Sequence, residues 1–145
     1  MDVLTTLHRI RQLLENHPGD SAAWVGSVIE LAGCDEAGFY RLLNSKRMWG
    51  GAGSIANEAL ADTSGMDDWI WHSEIREFRE LMIELGSQLQ ARGNAYPDIS
   101  SWLLAFKTGT SRRCERWRVY LESMIHTPAQ SSGGGLALRC SARPI

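Results

Sequence analysis

Six apolar side chains, Trp71, Ile75, Phe78, Met82, Leu85 and Leu89, follow one another in alternating steps of four and three. That spacing returns a side chain to the same side of an α-helix every turn, whereas strand faces alternate with a period of two. A chain with such a stripe must bury it against other helices. A cap at Asp67 or Asp68 opens this helix, which is predicted to run to about Arg92. Glu74, Arg76, Glu77, Arg79, Glu80 and Glu84 interleave with the stripe and are expected to form its solvated face. Glu80 and Glu84 have no Lys or Arg four residues on, so that face reads as acidic. The stripe is short for a dedicated coiled coil, and packing into a bundle is the expected use.

The rest of the chain carries the same period. Leu4, Leu7, Ile10, Leu13 and Leu14 predict a first amphipathic helix, stopped by His17-Pro18-Gly19. Asp20 or Ser21 caps a second, with Trp24, Val25, Val28, Ile29, Leu31 and Ala32 as its apolar set and Gly33 as its stop. Asp35-Glu36 open a third, which buries Phe39, Leu42 and Leu43. Residues 47–54 interrupt the pattern. Ser54 then caps a short helix over 55–61, and Thr63-Ser64-Gly65 makes a turn. After a turn-rich stretch at 93–98, a short helix is expected over 99–106 and a turn over 107–111. A further helix follows, with Cys114, Trp117, Leu121 and Met124 as its stripe. From Thr127 the chain is rich in Pro, Ser and Gly and is expected to be disordered. No stretch alternates as a strand does. The expected architecture is therefore a single all-α bundle of five to six helices over 1–126, with a disordered tail over 127–145.

Composition narrows the class. With 145 residues, 43% hydrophobic and 22% charged, the chain is long enough for one domain with a real core. Its net charge of −2 hides an asymmetry. Residues 1–95 hold eight basic and 14 acidic side chains, and residues 96–145 hold seven and three. The basic end folds back on the acidic body or meets a polyanion. Arg112, Arg113, Arg116 and Arg118 around Trp117 suit RNA or an acidic protein face, but an amphipathic surface helix looks the same. Because the rest of the chain is acidic, no nucleic-acid partner is expected. Six Trp serve a core and an interface equally well. Cys34, Cys114 and Cys140 are odd in number and lack CxxC spacing, which argues against a disulfide framework or a zinc site and fits a reducing compartment. No secretory signal and no membrane-length apolar run is read, so a cytoplasmic location is expected.

Between the helical halves lies Trp49-Gly50-Gly51-Ala52-Gly53-Ser54. Glycines permit positive φ, and a helix N-terminus can attract an anion. There is, however, no GxxxxGK[ST] pattern and no preceding strand, so neither a P-loop nor a dinucleotide fingerprint is present. The turn is then either a structural corner, with Trp49 packed beneath it and Ser54 as a cap, or a ligand or partner loop. The stretch Met48–Asn57 resembles the G-G-M-G-S-[aromatic or aliphatic]-N-D motif of a family of small bacterial helical proteins. Ala52 stands where Met is common, and Ala56-Asn57-Glu58 departs from the N-D step. The likeness spans residues 3–92 in element order. It implies a bacterial helical protein of the immunity kind found beside secreted toxins, with no known catalytic residue.

Catalytic groups are sparse in the sequence. His8, His17, His72 and His126 form no HxxxH or HExxH pair, there is no GxSxG, and no Cys has an identifiable His partner. Asp67-Asp68 fit helix capping better than acid–base work. No cofactor, no metal and no enzymatic activity are expected. The leading expectation is a protein-binding module, immunity- or antitoxin-like, whose cognate partner is a toxin. Its expected contacts are Trp49, Gly50, Gly51, Gly53 and Ser54 on the turn, and Glu74, Glu77, Glu80 and Glu84 on the acidic face. The alternatives are a phosphate or small-ligand binder using Gly50 to Ser54, and an enzyme whose site is assembled from distant residues.

Overall fold

The structure, a computed structural model, describes residues 1–60 and 67–126. The tail over 127–145 and the turn at Thr63-Ser64-Gly65 lie outside the described residues. So do the side chains of Asp68, Trp71, Cys114, Leu121, Met124 and the basic stretch 112–117. The fold is all-α and single-domain, with no strand among the described residues. Three helices open the chain: α1 (Val3–Leu14), α2 (Ser21–Leu31) and α3 (Glu36–Leu43). Two single-turn helices, α4 (Lys46–Trp49) and α5 (Ile55–Ala59), make a corner. A continuous helical segment follows: α6 (Asp68–Ile70), a π-turn (Trp71–Ile75) and α7 (Arg76–Arg92). Helix α8 (Ile99–His126) closes the bundle.

The local rules hold at several ends. The Asp2 carboxylate accepts the Thr5 backbone N–H at 2.9 Å and the Thr5 hydroxyl at 2.7 Å, which caps α1. Those donors, the backbone N–H first, hold its carboxyl below the ordinary range. Asp35 caps α3 by accepting the Gly38 N–H at 2.9 Å, and Ser54 caps α5 by accepting the Asn57 N–H at 3.1 Å. Asp20 precedes α2 but does not cap it, because its carboxylate is held by Arg47 at 2.6 Å.

The predicted stripe is the core of the molecule. Ile75, Phe78, Met82, Leu85 and Leu89 are all buried, and the last four join Leu7, Ile10 and Leu14 of α1 and Ile99, Leu103 and Phe106 of α8 within one apolar core. The long helix differs from expectation in its π-turn, which a spacing of three or four residues cannot distinguish from an α-turn. Helices α1 and α7 run antiparallel: Met1 lies by Gln88, Arg9 by Glu77 and His17 by Glu74. Helices α7 and α8 are antiparallel too, with Gln90 on Ser100 and Arg79 opposite Gly109. The expected break at 107–111 is absent, because α8 runs through it as one helix of 28 residues. Gly109 costs the helix interior about 1 kcal/mol, and Arg79 of α7 packs against it, where a Cβ would lie 3.2 Å from a guanidinium nitrogen.

The corner explains why large polar-edged side chains lie inside. Each short helix ends with carbonyls that have no partner within the helix. Here a distant side chain supplies one. Trp49 Nε1 donates to the Leu43 carbonyl that ends α3, at 2.8 Å. Trp102 Nε1 donates to the Trp49 carbonyl that ends α4, at 2.6 Å. Arg79 Nε donates to the Ala59 carbonyl that ends α5, at 2.9 Å. Arg79 is therefore not on the solvated face where its place between the stripe residues put it; it is only 5% exposed. The helices meet so closely here that a Cβ on Gly86 would lie 2.7 Å from Leu103 Cδ2 and 3.2 Å from the Trp49 ring.

Candidate partner-binding surface

The contacts nominated by the sequence fall into two structural units. The first is the glycine turn. Trp49 is fully buried and Ser54 almost so: this is the structural corner of the two readings, and it corrects the expectation of Trp49 as an exposed contact. The cause is local. Trp49 ends α4 with its indole directed into the core, and the Ser54 hydroxyl is taken up in capping α5. Gly51 and Gly53 adopt φ of 97° and 80°, a backbone shape that the turn requires and that other residues adopt only at a cost. Arg47 clasps the turn from outside, donating to the Gly53 carbonyl at 2.6 Å and to Asp20 at 2.6 Å. The guanidinium that could have met an anion is thus already engaged. Gly53 is exposed, while Gly50 and Gly51 are partly so.

The second unit is the acidic face of the long helix. It is not a bare anionic ridge, because each carboxylate has a partner. Arg9 forms a two-pronged contact with Glu77, Nε to Oε1 at 2.5 Å and a terminal nitrogen to Oε2 at 2.9 Å. That contact raises the Arg9 guanidinium's proton affinity further. His17 Nε2 lies 3.9 Å from Glu74, and Gln88 donates to Glu84 at 2.6 Å. Glu80 pairs with Arg76 one turn before it, at 2.9 Å. Reading only the residues four positions ahead missed Arg76, four behind, and could not reach Arg9, 68 positions away. Glu77 therefore lies in an ion-paired seam between α1 and α7, Glu74 of the π-turn faces His17 beyond the end of α1, and Glu80 stays on the outer surface.

Two features were not read from the sequence. Trp69 is 77% exposed, and Ile70 beside it is partly so, whereas Trp24, Trp49 and Trp102 are buried or half-buried. The signal was available: Trp69 stands two positions before Trp71 and cannot share its stripe. The other is a concave end centred on Tyr40. A cleft of about 470 Å³ opens between the start of α1, the end of α2, and α3. At its lip the Arg92 guanidinium lies 3.6 Å from the Tyr40 ring centroid and reaches Glu36 at 3.1 Å. This juxtaposition depends on α3 meeting the end of α7, and no local pattern encodes it.

Among the described residues no group of three or more His, Cys, Asp and Glu could hold a metal ion. No helix among them is long and apolar enough to cross a membrane. Comparison with family models, with curated proteins and with solved structures finds no match.

Proposed function

We propose that this chain is a non-enzymatic protein-binding module of the immunity or antitoxin kind, which neutralises a partner by covering it. The observation that carries this reading is Trp69, a tryptophan 77% exposed with Ile70 beside it at the head of the π-turn. Tryptophan dominates interface energetics when it inserts into a partner's pocket, and solvent exposure of so large an apolar side chain is unfavourable in an isolated domain. π-Turns recur at functional positions in helices. The acidic balance of residues 1–95 favours a basic partner and speeds its association. The motif resemblance at Met48–Asn57 agrees with this class. The binding surface moves, however, from the glycine turn to Trp69 and Ile70.

The test is co-expression with the product of the adjacent gene. The expected result is a stable complex and relief of that product's toxicity. Trp69→Ala should weaken the complex by about 2 kcal/mol, roughly thirtyfold in Kd. No complex and no relief of toxicity would remove the reading. A complex untouched by Trp69→Ala would keep the class but displace the surface.

A further inference from the structure

We propose that a second cleft, between the ends of α3 and α7, binds a phosphate group through Arg41 and Arg92. This goes beyond the protein-binding reading and does not depend on it. The cleft, about 330 Å³, is lined by Tyr40, Arg41, Asn44, Arg92 and Asn94 among others. No Asp, Glu or His is in its lining, which carries two positive charges and no negative one. Arg41 is exposed, and among the described residues it pairs with no carboxylate and donates to no carbonyl. A helix end ordinarily draws an arginine through its dipole and its open carbonyls. Here those carbonyls have nearer donors. Trp49 Nε1 meets the Leu43 carbonyl at 2.8 Å, Asn44 Nδ2 meets that of Tyr40 at 3.1 Å, and the Gly93 N–H meets that of Gln90 at 3.2 Å.

Arg92 is held in place without being used up. One terminal nitrogen donates to Glu36 at 3.1 Å, and the Tyr40 ring takes the flat face of the guanidinium, 3.6 Å from the ring centroid. Stacking leaves the N–H edge open, and a guanidinium carries five donors. Arg92 is thus oriented before a ligand arrives, which lowers the cost of binding one. Asn94, at φ 55°, is exposed, and its side chain makes no hydrogen bond among the described residues. Asn44 is a wall rather than a donor, because its amide already bonds Tyr40 and the Tyr96 N–H. Two guanidiniums and a free amide match a doubly charged ligand with several acceptor oxygens. A carboxylate, with one charge and two oxygens, would satisfy one arginine and leave the other. The glycine turn has no such opening, because the donors of Arg47 go to Gly53 and Asp20.

The experiment titrates the isotope-labelled full chain with inorganic phosphate and with phenyl phosphate at constant ionic strength. The side-chain N–H signals of Arg41, Arg92 and Asn94 are followed by NMR. Saturable shifts at these residues in the millimolar range are expected, with acetate about tenfold weaker. Arg41→Gln should weaken phosphate binding about tenfold, and Asn94→Gly, which suits the positive φ, about twofold. Glu36→Gln should tighten it about threefold, because it removes both a repelling charge and the competitor for Arg92. Lys107→Gln, the same charge change on an exposed side chain of α8, should alter it less than about twofold. Arg41, Glu36 and Lys107 are all exposed, so none of these variants endangers the fold. Binding of phosphate but not phenyl phosphate would assign the free ion, and binding of both would assign the phosphate group of a monoester. Absence of saturable shifts would overturn the proposal, as would equal affinity for acetate or equal weakening by Arg41→Gln and Lys107→Gln. The neighbouring gene's product takes no part in this assay, so failure here and failure of that complex are told apart.

Discussion

The corner around Trp49 and the seam between α1 and α7 both hold residues that the sequence offers as partner contacts, and the two are held by different physics. The corner is dry. Trp49 is fully buried, its indole N–H meets the Leu43 carbonyl, and its own carbonyl is met by Trp102. The seam is wet. Arg9 and Glu77 keep 46% and 33% of their side-chain surface in solvent while they pair. A buried aromatic with both ends hydrogen-bonded contributes through area and through polar groups that have no water to fall back on. An exposed ion pair contributes little, because each partner is well solvated when alone. Substitutions in the corner should therefore be costly and insensitive to salt, and those in the seam cheap and salt-dependent.

The hardest test of that contrast is Trp49→Ala. It removes the largest fully buried side chain and leaves the Leu43 carbonyl without its donor. The expected loss is about 3–5 kcal/mol, read by chemical denaturation followed by circular dichroism. The midpoint shift should be the same at low and at high salt. A loss below about 1 kcal/mol would mean that the corner is not the keystone described above.

A subtler substitution separates area from hydrogen bonding. Trp102→Phe keeps an aromatic ring stacked near Phe106 but removes the indole N–H that meets the Trp49 carbonyl at the end of α4. The carbonyl then loses its donor, at an expected cost of about 1–3 kcal/mol. If Trp102→Phe is neutral, the terminal carbonyls of the short helices are satisfied by water and the donors merely fill space.

The difference between corner and seam also marks what could be read from the residues. The stripe from Ile75 to Leu89 was legible because helix period and burial follow from neighbours three and four positions apart. The caps at Asp35 and Ser54 were legible for the same reason, since a cap is a local bond. The donors Trp49, Trp102 and Arg79 were not, because the carbonyls they meet lie six, 53 and 20 residues away. Arg79 misled most. Its charge placed it on the solvated face, yet it bonds the end of α5 from inside. The Glu residues misled in the opposite sense. They do lie toward solvent, but the cation that neutralises Glu77 comes from α1, so no window along the long helix reveals it. Of the nominated site residues, Gly53 and Glu80 are exposed, and Gly50, Gly51, Glu74, Glu77 and Glu84 are partly so. Trp69, the most exposed tryptophan described, falls at the helix start, outside the stripe that begins at Trp71.

The smallest expected effect tests the wet side. A double-mutant cycle on Arg9→Ala and Glu77→Ala isolates the pair from the other roles of each side chain. The two-pronged geometry favours a coupling at the upper end for exposed pairs, and about 0.5–1 kcal/mol is expected at low salt. Raising the salt to about 1 M shortens the screening length to roughly 3 Å and should cut the coupling to near zero. The single Glu77→Ala variant alone should cost under about 1 kcal/mol, because Arg9 regains its hydration once released. A coupling above about 2 kcal/mol, or one indifferent to salt, would make the seam behave like the corner. Glu77 would then act as a buried charge in spite of its exposure, and the division between a dry corner and a wet seam would fail at the pair that defines it.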